Sequence, residues 1–426
     1  MQVVMELILD QGPDSYCNFM ESRMSIATPK HANEEVRNFY PTLGQPFEFR
    51  PLEQDLHEVI DRVSRYPWHE MPDDGGWDYG TNLHFLKDLC SHWVNKFNWW
   101  DHQKKIDRFS HYTTPVDGID THYIFERGSG PNPTPLLISH GWPGSVCEFL
   151  HIIERLAHPE RFGGSVEDAF DVIAPSLPGF GFSGRPSRPM GPRRMAAHLN
   201  KLMTEQLGYK AYMAQGGDWG GAICSWLGFD HPKHCQAIHI NILTMRHGKG
   251  PQTPDELAWE QKFERDQLVE DGYRTIQSTR PQTLSYAMND SPVGIAAWLI
   301  EKFRSWSDIS NEDIESVYSK DELLFHVMIY VLTRTFNTAS WIYYGRREEG
   351  GRILSSDNRR VEIPTACAIF PAEMLAWPPR TYVDRLYNVA QWTEMPRGGH
   401  FAALEQPDLL VDDIQRFISK IKSSAF

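Results

Sequence analysis

The feature that most constrains the fold is an alternation of short apolar runs with helical segments, which stops once and then resumes. The first series of apolar runs lies at residues 135–139, 171–175, 211–214 and 237–243, and each run ends in turn residues. Similar runs return at 365–370 and 389–393, and an amphipathic helix follows from Pro407. Buried strands that alternate with helices are typical of a mostly parallel sheet flanked by helices. The sequence therefore predicts an α/β protein.

The interruption between about residues 244 and 356 is charged and helical. A sheet that stops for a helical insertion and then resumes predicts one core with a cap. Before the first series, the positions of Leu56, Val59, Ile60 and Val63 follow the spacing of an amphipathic helix that ends before Pro67. An aromatic-rich helical stretch continues from Trp77 to Trp100.

Charge and hydropathy exclude several partners. The 426 residues include 56 Asp and Glu against 42 Lys and Arg, for a net charge of −14. A negative chain is a poor match for nucleic acid or an anionic membrane, because both attract positive charge. The N-terminal apolar run from Val3 to Leu9 is broken by Glu6 and is far shorter than the ~20 residues that span a bilayer. We therefore expect a cytoplasmic protein with no membrane anchor.

Cysteine usage predicts reduced, mostly buried thiols. The six cysteines are scattered without a repeated short spacing, which does not resemble a disulfide framework. His231, His234 and Cys235 lie close together, but no second ligand pair follows at the spacing of a zinc site. We therefore predict no bound metal.

A turn with the pattern G-x-D-x-G follows the apolar run that ends at Ala214 and spans Gly216 to Gly220. Glycines permit a tight strand-to-helix turn that presents a nucleophile at the edge of the sheet. Asp218 stands at the nucleophile position, and a carboxylate can displace at a saturated carbon to leave an ester. The alternative is that Asp218 is a simple helix N-cap.

A second turn, His140-Gly-Trp-Pro-Gly144, follows the first apolar run. Backbone N–H groups here and after the nucleophile can form an oxyanion hole, with Trp142 and Trp219 as the donors. An ordinary Pro-Gly turn is the alternative interpretation.

A histidine follows the last apolar run on the glycine-rich loop Arg397-Gly-Gly-His-Phe401. His400 there fits the chain order nucleophile, acid, base. Glu373, one loop beyond the 365–370 run, is the preferred acid, and Asp357 and Asp384 are its rivals.

Residues Gly179 to Gly184 match G-x-G-x-x-G after an apolar run. A dinucleotide-binding fingerprint opens a helix at once, whereas Pro186 and Pro189 hold this segment as a loop. We therefore do not expect a nucleotide site.

Several long motifs in one order resemble those of the microsomal-type epoxide hydrolases, within the α/β-hydrolase superfamily. They are Pro46-Phe-Glu-Phe, Trp77-Asp-Tyr-Gly-Thr-Asn82, His140-Gly-Trp-Pro-Gly-Ser145, Gly217-Asp-Trp-Gly-Gly221, Asn289-Asp-Ser-Pro-Val-Gly294 and Gly398-Gly-His-Phe-Ala-Ala-Leu-Glu-Gln-Pro407. The resemblance covers the chain from about residue 43 and implies an α/β-hydrolase fold with a helical cap and an N-terminal meander. We accordingly divide the chain into an N-terminal extension (1–42), the meander (43–120), a first core segment (121–243), the cap (244–356) and a second core segment (357–426).

The resemblance also implies a chemistry and its residues. Two cap tyrosines would hold the epoxide oxygen, Tyr273 and a second one for which Tyr344 is preferred and Tyr343 stays open. Asp218 would form a covalent ester that water activated by His400 and Glu373 hydrolyses to a vicinal diol, with no cofactor. The expected partner is a small hydrophobic epoxide, the role is detoxification, and a homodimer stays open. The alternatives are a haloalkane-type dehalogenase and a non-catalytic ligand-binding protein of the same fold.

Overall fold

The computed structural model describes residues 39–70, 75–310, 313–357 and 359–424. Apart from residues 39–42, the predicted N-terminal extension lies outside the described residues, as does Cys17. The remaining five cysteines, 90, 147, 224, 235 and 367, are buried and free, which confirms the prediction of buried thiols for them.

The described strands form a nine-stranded sheet and a separate two-stranded one. The nine-stranded sheet has the order β1-β2-β3-β5-β4-β6-β7-β10-β11, and the small sheet joins β8 to β9. The bounds are β1 Gln45–Pro46, β2 Ser110–Val116, β3 Ile119–Glu126, β4 Thr134–Ser139, β5 Phe170–Pro175, β6 Tyr212–Gly216, β7 Cys235–Ile240, β8 Arg246–His247, β9 Ile353–Ser355, β10 Val361–Ile369 and β11 Tyr387–Glu394. Strands β1, β2, β3 and β5 pair antiparallel, and all pairs from β5 to β11 along the large sheet are parallel.

Each run predicted as a strand forms one, because parallel strands covered on both faces are almost continuously apolar. Strand β5 shows this well, since all of its residues are buried. Strand β2 was not predicted, and it lies well before the first predicted apolar run at residues 135–139. Its sequence Ser-His-Tyr-Thr-Thr-Pro-Val is mostly polar and only partly buried. This is common for antiparallel strands that expose one face to solvent.

The α-helices before the middle of the chain flank this sheet or precede it. They are α1 Glu53–Ser64, α2 Leu83–Asn95, α3 Trp99–Ile106, α4 Ile153–Ala157, α5 Pro192–Lys201 and α6 Asp218–Asp230. Helix α1 ends before Pro67 as its spacing predicts, and α2 lies within the predicted aromatic stretch. Residues 176–190 form a loop, which confirms the prediction for the glycine-rich segment at 179–184.

The helices of the insertion and of the C-terminal region follow. They are α7 Pro254–Glu270, α8 Gly272–Thr279, α9 Pro281–Asp290, α10 Pro292–Ser305, α11 Lys320–Thr333, α12 Phe336–Glu348, α13 Arg380–Asp384, α14 Ala402–Glu405 and α15 Pro407–Ser424. Six of them lie between β7 and β10, so the predicted helical insertion is present. Helices α8 and α12 pack against each other, and each supplies a side chain to the site described below.

Parallel strands place their carboxyl ends at one edge of the sheet, so the loops after β4, β6, β10 and β11 meet there. The predicted residues Trp142, Glu373 and His400 lie on these loops, and Asp218 and Trp219 begin α6 directly after the loop that follows β6, whereas the predicted tyrosines lie on α8 and α12. Among the described residues, no helix combines the length and apolar character needed to cross a membrane. No cluster of His, Cys, Asp or Glu suited to a metal occurs in that same portion of the chain.

Candidate active site

Asp218 stands on a tight turn between β6 and the first residue of α6. Its backbone has a φ of +46°, a left-handed conformation that is uncommon outside glycine and that Asp tolerates better than most residues. Gly220 is required for this turn, because a Cβ there would lie 1.8 Å from the carbonyl oxygen of Ser139. The turn therefore holds the carboxylate at the helix N-terminus, where the helix dipole stabilises negative charge.

The loop after β4 approaches Asp218 from the neighbouring strand. The backbone N–H of Trp142 donates to Asp218 Oδ1 at 2.7 Å. A Cβ on Gly141 would lie 2.0 Å from the same oxygen, so glycine is what permits this approach. The N–H of Trp219 lies in the first turn of α6, where backbone donors have no partner within the helix. The two predicted oxyanion donors thus both flank the Asp218 side chain.

His400 lies between two carboxylates. Its Nδ1 is 2.9 Å from Glu373 Oε1, and its Nε2 is 3.4 Å from Asp218 Oδ2. Both His400 and Glu373 are buried. The loops that carry them are tied together by a bridge between Ala372 and Gly399. The structure thus brings together the three residues that the sequence predicted in the order nucleophile, acid, base.

The carboxylates control the protonation of His400. Burial by itself lowers its pKa, but the charges of Glu373 and Asp218 outweigh burial and raise that pKa well above 6.5. The two carboxylates therefore favour the protonated form of the imidazole. Loss of the Asp218 charge would remove part of this stabilisation and make His400 better able to accept a proton.

The rival acids lie elsewhere. Asp357 forms hydrogen bonds with Ser355 and Arg359. Asp384 ends α13, within reach of Arg380. Neither contacts His400, so the geometry favours Glu373.

Two tyrosines face Asp218 from the helical insertion between β7 and β10. Tyr273 on α8 stacks on Trp142 with ring centroids 5.2 Å apart, and Tyr343 on α12 packs on Trp219 at 4.6 Å. Their own ring centroids are 5.7 Å apart. Burial and the Asp218 charge raise the pKa of both hydroxyls above 10, so both are proton donors at neutral pH.

The geometry favours Tyr343, the alternative left open, over the preferred Tyr344. Tyr343 is 2% exposed and lines the pocket in front of Asp218 together with Tyr273. Tyr344 is only partly buried, and the described pockets at Asp218 do not include it. Adjacent helical residues point about 100° apart, so only one of the two tyrosines can face the site.

Glu148 is a site residue that sequence reasoning missed. It shares a narrow cavity of about 20 Å³ with Asp218 and His400. Burial and the Asp218 charge raise its pKa to about 8, although His400 opposes this shift. Ser145 and Glu148 form a capping box, and the S-x-x-E spacing of that motif was the available signal. The cavity thus holds a carboxylic acid that is neutral at pH 7.

Comparisons with known proteins agree with this geometry. A family model described as "Epoxide hydrolase N terminus" matches residues 44–149, and one described as "alpha/beta hydrolase fold" matches residues 134–289. The chain is 32% identical to "Epoxide hydrolase 1" of Sus scrofa over 89% of both chains. It is 33% identical to "Juvenile hormone epoxide hydrolase 2" of Ctenocephalides felis, over 89% of this chain and 86% of that one.

Solved structures agree as well. The crystal structure of juvenile hormone epoxide hydrolase from the silkworm Bombyx mori matches with a TM-score of 0.80 and 27% identity, over 91% of this chain and 96% of that chain. The epoxide hydrolase of Aspergillus niger matches with a TM-score of 0.78 and 25% identity, over 90% and 99%. These likenesses confirm the predicted α/β-hydrolase fold. With relatives above 30% identity matched over most of their length, the chain belongs to the epoxide hydrolase family.

Proposed function

We propose that the protein opens an epoxide to a vicinal diol in two steps, the first of which forms an ester on Asp218. The observation that carries this proposal is the placement of a carboxylate opposite two buried phenol donors. An alkoxide is a poor leaving group, so its developing charge must be neutralised as the ring C–O bond breaks. Asp218 attacks one ring carbon, and Tyr273 or Tyr343 donates a proton to the ring oxygen.

The second step hydrolyses the ester. Once Asp218 carries no charge, only Glu373 still supports the protonated form of His400, so its pKa falls and the imidazole can accept a proton from water. The resulting hydroxide attacks the ester carbonyl carbon, and the N–H groups of Trp142 and Trp219 stabilise the oxyanion. The ester C–O bond breaks as protonated His400 gives its proton to the departing diol oxygen. Asp218 keeps one oxygen from water, and the remaining proton of its new carboxyl group passes to His400.

The tyrosine pair also favours an epoxide over a haloalkane. A departing halide needs no proton, whereas an alkoxide does, and the two phenols, which keep their protons at neutral pH, can supply one. A dehalogenase and a non-catalytic binding protein remain the alternatives. We further propose a small hydrophobic body for the substrate, since Trp219 and the two tyrosines line the pocket and Trp142 packs against Tyr273.

Other elements of the proposal rest on the sequence. We propose that the reaction uses water and no cofactor, that the protein acts in the cytoplasm, and that its role is detoxification. The net charge of −14 supports the expectation that nucleic acid is not a partner. The division into meander, core and cap, and a homodimer, stay predictions.

The test is an oxygen-labelling experiment in a single turnover. With enzyme in excess over styrene oxide in ¹⁸O-labelled water, the first diol should carry no label, and peptide mass spectrometry should find the label in Asp218. Direct attack of water on the epoxide would instead put the label in the diol and refute the ester. Asp218→Asn should form no diol, and conversion of 1-chlorohexane but not of styrene oxide would favour the dehalogenase.

A further inference from the structure

One wall of the pocket in front of Asp218 is strongly basic. Arg274, Arg346 and Arg352 line it together with Tyr273 and Tyr343. Arg274 directly follows Tyr273 on α8, and Arg346 lies one helical turn after Tyr343 on α12. Residues three apart on a helix have Cβ atoms about 5–6 Å apart. The side chains of Arg274 and Arg346 therefore leave their helices within one helical turn of the two tyrosines that face Asp218.

A fourth arginine lies directly behind this wall. The backbone N–H of Arg246 on β8 donates to the carbonyl of Arg352 at 2.8 Å, just before β9 begins. The side chains of Arg246 and Arg352 both lie over the ring of Phe263, at 4.4 and 5.5 Å from its centroid. Two strands of the small sheet thus hold two of the positive charges side by side.

These charges are poorly balanced by the protein. Arg274 pairs with Asp271, but no described carboxylate lies within salt-bridge distance of Arg346 or Arg352. In the described structure, Nε of Arg352 and one terminal nitrogen of Arg246 are buried without a hydrogen-bond partner. Lys302 behind Tyr273 is different, since Glu270 and Glu301 neutralise it. Unlike Lys302 and Arg274, Arg346 and Arg352 thus have no salt-bridge partner among the described residues, although the Asp218 carboxylate in the same pocket offsets part of the Arg346 charge.

The lowered pKa values of two of these arginines show that their positive charges are destabilised. Burial and the neighbouring Arg274 lower the pKa of Arg346 to about 10. Burial, Arg346 and Arg246 lower the pKa of Arg352 well below 12.5. Buried charges are normally paired, and this cluster occurs in a chain of net charge −14. An anion bound between the guanidinium groups would remove the mutual repulsion.

Aromatic contacts position the donors without satisfying them. The guanidinium of Arg346 lies 4.5 Å from the centroid of the Trp219 ring. Such stacking uses the face of the guanidinium and leaves the N–H groups in its plane free to bind an oxyanion. Arginine binds carboxylates with two parallel hydrogen bonds, a geometry that an amide or an ester cannot reproduce.

We infer that this wall binds a carboxylate of the substrate, so that the preferred epoxide carries a negative charge a few atoms from its ring. The inference rests on the proposed function, because it assumes that the pocket before Asp218 holds the epoxide. The hydrophobic body of the substrate contacts the tryptophans and tyrosines, and its carboxylate contacts Arg346 and Arg352.

The first experiment compares three epoxides of similar size with the wild-type protein. They are 4-(oxiran-2-yl)benzoate, 4-(oxiran-2-yl)benzamide and styrene oxide, and diol formation is measured for each. We expect kcat/KM for the benzoate to exceed that for the benzamide by about tenfold or more, mainly through a lower KM. Because salt screens charges, the difference should shrink between about 0.02 and 0.5 M NaCl. Equal kcat/KM values for benzoate and benzamide at low salt would overturn the inference.

The second experiment removes the charges one at a time. Arg346→Met and Arg352→Met keep an apolar stem, and each should lower the ratio of kcat/KM for the benzoate to kcat/KM for the benzamide by about 10- to 100-fold. Arg346→Lys should retain some of the preference. Arg65→Met, at an arginine that directly follows α1 and is 72% exposed, is the matched control and should change neither value. Equal losses for benzoate and benzamide would contradict a role in charge recognition.

Failure of the proposed function gives a different result from failure of this inference. If the wild-type protein converts none of the three epoxides, the proposed function is wrong. If it converts all of them without regard to charge, only the carboxylate inference is wrong. Should the Met variants fail to fold, a competition experiment with the wild-type protein decides. Plain benzoate, which carries no epoxide, should inhibit styrene oxide turnover, and plain benzamide should not.

Discussion

Replacing Tyr343 by Phe tests the assignment of the second proton donor most directly. The substitution removes one hydroxyl and keeps a ring whose centroid lies 4.6 Å from Trp219 and 5.7 Å from Trp142. Loss of one preorganised donor to a developing oxyanion costs about 2.7–4 kcal/mol. Because Tyr273 remains to bind the oxygen, we take the lower limit, which corresponds to about 100-fold at 1.36 kcal/mol per factor of ten. Ester formation should slow by about that factor, and ester hydrolysis should not change.

The two rates can be separated by stopped-flow tryptophan fluorescence, since Trp142 and Trp219 pack against the reacting groups. Tyr344→Phe is the matched control, because this residue is the neighbour of Tyr343 on α12 and is only partly buried. It should react at the wild-type rate. A rate of ester formation in Tyr343→Phe within about threefold of wild type, or an equal loss in Tyr344→Phe, would refute the assignment.

Three further predictions concern the base, the buried acid and the core. His400→Gln should form the ester without hydrolysing it, so intact-protein mass spectrometry should show a persistent adduct with the mass of the epoxide, and a rapid return to the unmodified mass would contradict the role of His400. Glu148, with a pKa of about 8, is neutral below that pH and charged above it. Wild-type turnover should therefore fall as the pH rises past 8, because the added negative charge repels the Asp218 carboxylate. Glu148→Gln cannot ionise and should lack this decline; an identical pH profile in both proteins would exclude the effect. Asp413 is fully buried, with its carboxylate 3.0 Å from His239 and 2.7 Å from Thr393. Asp413→Ala should therefore lower the free energy of unfolding, measured in urea, by about 3 kcal/mol. The control Asp412→Ala, at an exposed neighbour, should change it by less than about 0.5 kcal/mol.

The regions of the fold that the sequence predicted well are those with a local signal. The parallel strands are short apolar runs, and G-x-D-x-G specifies its own turn, so β6, the turn and α6 could be placed in advance. Strand β2 could not be placed in advance, because its residues are mostly polar and form no apolar run. It becomes a strand by pairing with β1 and β3.

The site was predictable where its residues lie on glycine-rich loops and ambiguous where they lie on helices. Tyr343 and Tyr344 are adjacent, and which one faces Asp218 depends on how α12 is rotated against α8 and Trp219. The basic wall could not be predicted, since Arg246, Arg274, Arg346 and Arg352 become neighbours only when β8, α8 and α12 are packed together. Contacts between segments that are far apart in the chain produce no recognisable residue spacing in the sequence.

Apart from Asp218, which takes part in both chemical steps, the residues proposed for the two steps come from different regions of the chain. Ester formation needs the two phenols on α8 and α12, both between β7 and β10, whereas ester hydrolysis uses groups on the loops after β4, β6, β10 and β11. The insertion can therefore diverge under selection for new epoxides while the turnover machinery stays unchanged. Exchanging residues 244–356 for the same segment of another family member should alter which epoxides react and leave the decay rate of a given ester nearly constant.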